Sequence, residues 1–121
     1  VPGLRRYVAV DGGMGDNIRP KLYGARYEAV HASDPAGSPL ERVTIAGKYC
    51  ESTDVLVQDA DLPRLGPGDL VMIPAAGAYC LAMSSNYNGV PRPAVVMVES
   101  GRARLIRRRE TYREMLAPEV L

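Results

Sequence analysis

Glycine and proline interrupt this chain at short intervals, with 12 glycines and 10 prolines among its 121 residues. Four clusters carry the residue types of tight turns, at 11–13, 34–39, 66–69 and 100–101. Glycine permits backbone angles closed to other residues, and proline cannot continue a helix or a central strand, so such clusters end regular elements. The spacing therefore restricts the chain to short elements joined by turns.

The segments between these turns are rich in Val, Ile and Tyr, and several alternate apolar and polar residues as half-buried strands do. Strands are predicted at 7–10, 25–32, 42–46, 54–57, 70–73, 95–99 and 103–106. Residues 99–102 predict a tight hairpin between the last two strands. Helical spacing is clear at 109–116, before Pro118. The predicted fold is mainly β, a barrel or sandwich with short helices and a C-terminal helix.

The length predicts one domain, residues 1–121, since a barrel of eight strands and eight helices needs roughly 250 residues. No apolar run approaches the ~20 residues of a membrane helix. The first residues lack the charged-then-apolar pattern of a secretion signal, so a cytoplasmic protein is expected. Val1 stands in place of an initiator methionine, which favours a piece of a longer protein.

Charge and the rarer residue types argue against several classes of function. A formal net charge of +1 gives no general attraction to nucleic acid or anionic lipid, and the arginines at 102–109 are expected to form a solvated face. Cys50 and Cys80 are the only cysteines and His31 the only histidine, too few for a disulfide framework or a four-ligand zinc site. His31 lies in an alternating run and is expected to be a strand residue rather than a catalytic base.

Function is therefore expected in three irregular segments. The first, 11–23, has three glycines within five positions and then Arg19 and Tyr23, which are expected on a short helical turn. A guanidinium grips a carboxylate through two parallel hydrogen bonds, and a phenol can add another donor. The glycines alone are weak evidence for a phosphate site, and a surface loop with an exposed arginine is the alternative.

The second segment, 47–54, places Cys50 beside Glu51. Strand neighbours point to opposite faces, whereas a loop can turn both side chains toward one cleft; a buried apolar cysteine is the alternative. The third, 77–89, carries Tyr79 and Tyr87 among small and polar residues, and a buried tyrosine with one hydrogen bond is the alternative for Tyr87. Cys80 is expected in the core.

Together and in this order, the segments resemble the carboxy-terminal domain of the diaminopimelate decarboxylases, pyridoxal-phosphate enzymes of the alanine-racemase-like fold. These enzymes convert meso-2,6-diaminopimelate to L-lysine and CO₂. The resemblance extends from residue 7 to about 116, with Thr53 where the family often has glycine. It is carried by Arg19-Pro20-Lys21-Leu22-Tyr23, Cys50-Glu51-Ser52 and Gly77-Ala78-Tyr79.

The resemblance implies a role for each of five residues. Cys50 is implied to be the proton donor, and a thiol with a reference pKa of about 8.5 suits that role because it is protonated at neutral pH. Arg19, Tyr23, Glu51 and Tyr79 are implied to bind the substrate, and Tyr79 to contact the cofactor as well. The family forms homodimers in which the cysteine and glutamate of one subunit reach the active site of the other.

The same resemblance implies that half of the active site lies elsewhere. The family places its cofactor lysine and phosphate site in an amino-terminal barrel, and neither Lys21 nor Lys48 matches that lysine. The barrel is therefore expected to be absent and the chain alone inactive. Ornithine and arginine decarboxylases are one alternative, although their loop carries Cys-Asp where this chain has Cys50-Glu51. A non-catalytic β module that binds a ligand or partner is the other.

Overall fold

The computed structural model describes residues 5–37 and 39–120, and within these ranges the chain is built mainly from short strands. The strands form three separate sheets, with no closed barrel among the described residues, so the mainly-β prediction is confirmed and a barrel is not observed. In chain order, the elements are β1 (Tyr7–Ala9), α1 (Arg19–Tyr23), β2 (Val30–His31), β3 (Leu40–Ala46), β4 (Val55–Pro63), β5 (Val71–Met72), α2 (Gly77–Met83), a 3₁₀ turn (Tyr87–Gly89), β6 (Val95–Glu99), β7 (Arg102–Arg107) and α3 (Tyr112–Met115).

The central sheet has the order β1–β3–β4, with β1 parallel and β4 antiparallel to β3. Branched side chains suit this pleated surface, and fully burying one contributes about 1.5–3 kcal/mol. A register shift near the end of β3 marks a bulge, beyond which the chain enters the loop 47–54. The buried core cluster lies on β3 and β4 and consists of Val43, Ile45, Leu56, Val57 and Leu62.

Residues 25–29 do not pair with another strand, and in this respect the predicted strand 25–32 is wrong. Only Val30 and His31 pair, antiparallel to β5. Tyr27 and Ala29 pack against the core while Arg26 and Glu28 are exposed, so the alternation is real although no ladder forms. Alternating apolar and polar residues show which face of an extended segment is buried, but the segment forms a ladder only if another strand lies beside it.

His31 is a strand residue, as predicted, and its side chain is buried. Its Nδ1 accepts the Asp34 N–H at 3.0 Å, and its Nε2 lies 3.5 Å from an Asp69 carboxylate oxygen. Two of the sequence predictions fall partly outside the described residues: Ser38 in the turn at 34–39, and residues 1–4 at the amino terminus.

Two helices differ from the sequence prediction. Residues 77–83 were expected to be irregular but form α2, consistent with the good helix formers Ala, Leu and Met within them. The C-terminal helix begins at Tyr112 rather than at 109. Thr111 and Glu114 form a capping box there, each side chain accepting the other's backbone N–H.

No helix among the described residues is long and apolar enough to cross a membrane.

The hairpin between β6 and β7 is confirmed, with Glu99 opposite Arg102. Its two central residues, Ser100 and Gly101, have φ of 50° and 71°. Positive φ at both positions is the requirement of a type I′ turn, whose twist matches that of the flanking strands.

Candidate functional site

Helix α1 places Arg19 against two tyrosine rings. The guanidinium carbon of Arg19 lies 5.2 Å from the centre of the Tyr23 ring, one helical turn further along α1. It lies 4.7 Å from the centre of the Tyr79 ring, which is carried by α2. A guanidinium over an aromatic face is held by the ring quadrupole. The structure thus brings together three of the five predicted site residues, which we call the arginine group: Arg19, Tyr23 and Tyr79.

The charge of Arg19 has no carboxylate partner within 4.0 Å among residues 5–37 and 39–120. Both tyrosines of the arginine group are about two-thirds exposed, at 62% for Tyr23 and 63% for Tyr79. A half-buried guanidinium that lies against two exposed phenols and has no carboxylate partner suits an anion such as a carboxylate, which it can bind through parallel N–H donors.

Beneath the arginine group lies a small buried polar network that sequence reasoning did not identify. The Cys80 thiol donates to Asn17 Oδ1 at 2.9 Å, and the same oxygen accepts the Arg19 N–H at 3.3 Å. The Tyr27 hydroxyl lies 3.6 Å from the Cys80 sulfur, and this hydrogen bond raises the pKa of Tyr27. Cys80 is buried, as predicted, and it also joins α2 to the start of α1.

The loop 47–54 exposes both Cys50 and Glu51, so the alternative of a buried Cys50 is wrong. The Tyr87 hydroxyl donates a hydrogen bond to Glu51 Oε1, which raises the pKa of Tyr87. The Tyr87 ring in turn packs at a tilt on the ring of Tyr49, with 5.5 Å between their centres. We call this second set the thiol group: Cys50, Glu51, Tyr87 and Tyr49.

Among the described residues, no hydrogen bond, ion pair, cation–π contact or ring contact joins the two groups directly. They share a neighbour instead, the glycine-rich loop that precedes α1. Its Gly15 carbonyl accepts the N–H of Ser85, close to Tyr87, and its Asn17 belongs to the network beneath Arg19. One loop therefore supports both groups.

The glycines of that loop make room for the protein's own side chains rather than for a phosphate. A Cβ on Gly13 would lie 2.5 Å from Tyr49 Cδ2, and one on Gly15 would overlap the Tyr49 hydroxyl. Real Cβ contacts are not this close, so any larger residue would displace Tyr49. This packing argues against a phosphate cradle in the loop.

The two lysines of the chain lie in different surroundings. Lys48 Nζ lies 5.9 Å from the centre of the Tyr49 ring, and Lys21 is exposed on α1. No three His, Cys, Asp or Glu side chains come together as metal ligands in the part of the chain that the structure describes. Tyr79, the residue predicted to contact the cofactor, is exposed.

A groove of about 880 Å³ is lined on one side by residues 20–21 and 24–28 and on the other by residues 53 and 55–59. None of the five predicted site residues lines it. Because its walls combine Lys21, Arg26, Glu28 and Asp59 without a converging set of groups, we place the chemistry in the arginine and thiol groups instead.

Known proteins are similar to this chain in sequence and in fold. The diaminopimelate decarboxylase of Bacillus subtilis (strain 168) is 54% identical over 116 residues, which are 96% of this chain and 26% of that protein. The crystal structure of a diaminopimelate decarboxylase from M. jannaschii aligns with a TM-score of 0.91 and 35% identity, over 100% of this chain and 27% of that one. A second structure, in complex with L-lysine, aligns over the same shares with a TM-score of 0.90 and 35% identity.

This chain therefore spans about a quarter of the length of the relatives it matches. The family described as pyridoxal-dependent decarboxylase, C-terminal sheet domain, matches residues 2–77, which is more than half of the chain. That match includes Arg19, Tyr23, Cys50 and Glu51, while Tyr79 and Tyr87 lie in the region aligned only with individual relatives. The chain belongs to the pyridoxal-dependent decarboxylases, of which it is a C-terminal sheet domain.

Proposed function

We propose that the protein carrying this chain is a diaminopimelate decarboxylase, which converts meso-2,6-diaminopimelate to L-lysine and CO₂, and that residues 1–121 are one domain of it. The observation that carries this proposal is a pair of opposite charges, the half-buried Arg19 and the exposed Glu51, each in contact with tyrosines. Diaminopimelate has an amino-acid group at each end, so its distal end presents one carboxylate and one ammonium. The relatives described above bear this name, and one of them binds L-lysine.

The arginine group would bind the distal carboxylate. Arg19 offers parallel N–H donors without a competing carboxylate among the described residues, and Tyr23 and Tyr79 hold the guanidinium in place. The Tyr23 hydroxyl can add a third donor to the same anion. Tyr79 would in addition contact the cofactor.

The thiol group would bind the ammonium and supply a proton. Glu51, oriented by Tyr87, pairs with the distal ammonium. When the substrate carboxylate leaves as CO₂, the electron pair of the broken C–C bond ends in a new C–H bond at the α-carbon. The Cys50 Sγ–H supplies the proton for that bond, and the thiolate that remains regains a proton from solvent. A proton donor in position contributes roughly 10²–10⁴-fold to such a step.

Pyridoxal phosphate accepts electrons in decarboxylations of this class. The glycine-rich loop does not fit its phosphate, because the space beside the glycines is filled by Tyr49. We therefore derive no step through the cofactor and propose that its main site lies outside this chain.

We also propose a cytoplasmic homodimer with shared active sites. No contact between the arginine group and the thiol group was found among the described residues of one chain, which supports two half-sites that serve different active sites. Both cysteines are free, as a catalytic thiol in a reducing compartment should be.

Ornithine and arginine decarboxylation are less consistent with these residues. Their substrates have no distal carboxylate, so they would leave Arg19 without an anion to bind. A non-catalytic binding module has no use for an exposed thiol held beside a carboxylate.

The test is decarboxylation by the purified full-length protein supplied with pyridoxal phosphate. We expect kcat/KM for meso-diaminopimelate to exceed that for L-ornithine and L-arginine at least about 100-fold, since a lost charge pair leaves an unpaired polar group. Preference for ornithine or arginine would support the related decarboxylases. Absence of CO₂ release from all three substrates would support a binding module.

A further inference from the structure

Asp54 is a buried carboxylate to which the proposed mechanism assigns no role. It is 3% exposed and has no cationic partner within 4.0 Å among the described residues. Its Oδ1 accepts the N–H of Met14 at 2.7 Å, and its Oδ2 accepts the N–H of Tyr49 at 2.8 Å. Both oxygens of the carboxylate are thus bonded to backbone donors, in two different loops.

The backbone of Asp54 closes the loop that carries the thiol. Its N–H donates to the Glu51 carbonyl at 3.0 Å, and its carbonyl accepts the Gly47 N–H at 2.8 Å. Residues 47–54 belong to no strand or helix, so no ladder holds Cys50 in place. A single residue makes bonds on both sides of Cys50, at Tyr49 before it and at Glu51 after it.

Two glycines leave the space that the Asp54 carboxylate fills. A Cβ on Gly47 would overlap the carboxyl group, and one on Gly13 would lie 2.9 Å from Oδ2. Close approach to this carboxylate therefore explains Gly47, and at Gly13 it adds to the close approach of Tyr49. The loop that contains Met14 continues through Asn17 to Arg19, so the same carboxylate connects the thiol group with the base of the arginine group.

We propose that Asp54 is the positioning residue of the site: it ties the loop 47–54 to the glycine-rich loop and thereby sets the positions of the Cys50 thiol and the Glu51 carboxylate. Hydrogen bonds to an ionised acceptor are shorter and stronger than neutral ones, which suits a loop without regular structure. A displacement of about 1 Å in a reacting group can cost 10²-fold in rate. The kinetic part of this proposal rests on the proposed decarboxylase function.

The first experiment compares Asp54→Asn with Asp16→Asn in the full-length protein. An amide keeps one acceptor oxygen but turns its NH₂ group toward the other backbone donor. We expect kcat for meso-diaminopimelate to fall about 10–100-fold and KM to rise severalfold, because Cys50 and Glu51 both move. Asp16 accepts the Gly13 N–H at 3.1 Å within its own turn, and Asp16→Asn should stay within about twofold of the parent.

Two further readouts do not depend on catalysis. Amide hydrogen exchange at Met14 and Tyr49 should be at least about tenfold faster in Asp54→Asn, since both amides lose part of their acceptor. The rate of Cys50 alkylation by iodoacetamide should change as well, with the buried Cys80 as the internal reference. The proposal would be overturned if Asp54→Asn showed parent-like hydrogen exchange at both amides, an unchanged KM and an unchanged rate of Cys50 alkylation. That conclusion would hold even if kcat per milligram fell, because a lower fraction of folded protein also lowers that value.

A second pair of variants covers the case in which Asp54→Asn does not fold. Gly47→Ala pushes a methyl group against the carboxylate and should reproduce the kinetic and exchange effects. Gly12→Ala in the neighbouring loop should not, because its Cβ would meet Asp16 Oδ2 at an ordinary 3.6 Å. Equal behaviour of the two alanine variants would count against Asp54. A parent protein that decarboxylates nothing would refute the proposed function, while the exchange data would still decide the role of Asp54.

Discussion

Cys50 and Glu51 differ in how firmly they are held, although they are adjacent and both exposed. Glu51 accepts a hydrogen bond from Tyr87, whose ring packs on Tyr49. Cys50 depends on the backbone of its loop for its position. At the residue scale, substitutions of the thiol and of the phenol should therefore have different kinetic consequences.

We expect Cys50→Ala in the full-length protein to lower kcat by about 10²–10⁴-fold while KM changes little, because a proton donor acts after the substrate is bound. Steady-state kinetics with meso-diaminopimelate measure both parameters. Ser52→Ala, on the exposed part of the same loop, is the matched control and should leave turnover unchanged. Normal turnover in Cys50→Ala would mean that the proton comes from another group.

Tyr87→Phe removes the hydroxyl that orients Glu51 and keeps the ring that packs on Tyr49. We expect the opposite pattern from Cys50→Ala: KM rises about tenfold, which corresponds to about 1.4 kcal/mol, and kcat stays within a few fold. Tyr112→Phe, at an exposed tyrosine of α3, is the control. An unchanged KM would show that Glu51 does not need Tyr87 to bind the ammonium.

At the element scale, the segment that carries Tyr87 is anchored by a carboxylate from the far end of the chain. Glu110 accepts hydrogen bonds from Asn86 Nδ2 at 2.5 Å and from the Arg92 N–H at 3.0 Å, and its other oxygen pairs with the Arg92 guanidinium at 3.2 Å. These hydrogen bonds lower the pKa of Glu110 to about 2. The bond from the Arg92 backbone has the largest effect, followed by those from the Arg92 side chain and from Asn86. The 3₁₀ turn after Asn86 is thus tied to the residues that follow β7.

This anchor predicts a defined pH dependence of stability. Since the folded-state pKa of Glu110 lies below its ordinary value of 4.5, its contribution is complete above about pH 4.5 and is lost as the pH falls toward 2. Glu110→Gln should therefore be less stable than the parent at pH 7, and the difference should shrink between pH 4.5 and 2. Urea unfolding at several pH values measures this.

Glu99→Gln, on the exposed end of β6, serves as the control for that series and should unfold like the parent at neutral pH. If the difference between Glu110→Gln and the parent were the same at every pH, the ionised carboxylate would not be the source of the stability.

At the scale of the whole molecule, the separation of the arginine group from the thiol group is the main structural support for shared active sites. If each group serves a different active site of a dimer, one chain can lack Arg19 and another Cys50, and their mixed dimer still assembles one complete site. The second site of that dimer then lacks both residues.

The test mixes Arg19→Ala and Cys50→Ala subunits in equal amounts and assays them at a substrate concentration far below KM. We expect the mixture to recover about a quarter of the parent activity. Half of the dimers are mixed in a random exchange, and each mixed dimer has one intact site. The two variants measured separately provide the baseline. No recovery despite confirmed mixed dimers would place both residues in the site of one subunit.

The sequence by itself determined features that depend on a few neighbouring residues. The hairpin at 99–102 was predictable because Ser100 and Gly101 can adopt the positive φ that its turn requires, and this is a local property. The short helical turn from Arg19 to Tyr23 and the mainly-β character follow from local patterns in the same way. Motifs are enough to name Arg19, Tyr23, Cys50, Glu51 and Tyr79 and to place Cys50 beside Glu51, but they do not predict that Tyr79 lies against Arg19.

The tertiary structure alone decided the contacts between residues far apart in sequence. Residues 25–29 alternate like a strand but find no partner, because pairing depends on which other strand lies alongside. Asp54 gave no signal in the sequence, since its acceptor role requires Met14, 40 positions away, to approach across two loops. The meeting of Arg19 with Tyr79 and the separation of both from Cys50 have the same cause: packing of the loops around the central sheet, which no local preference specifies.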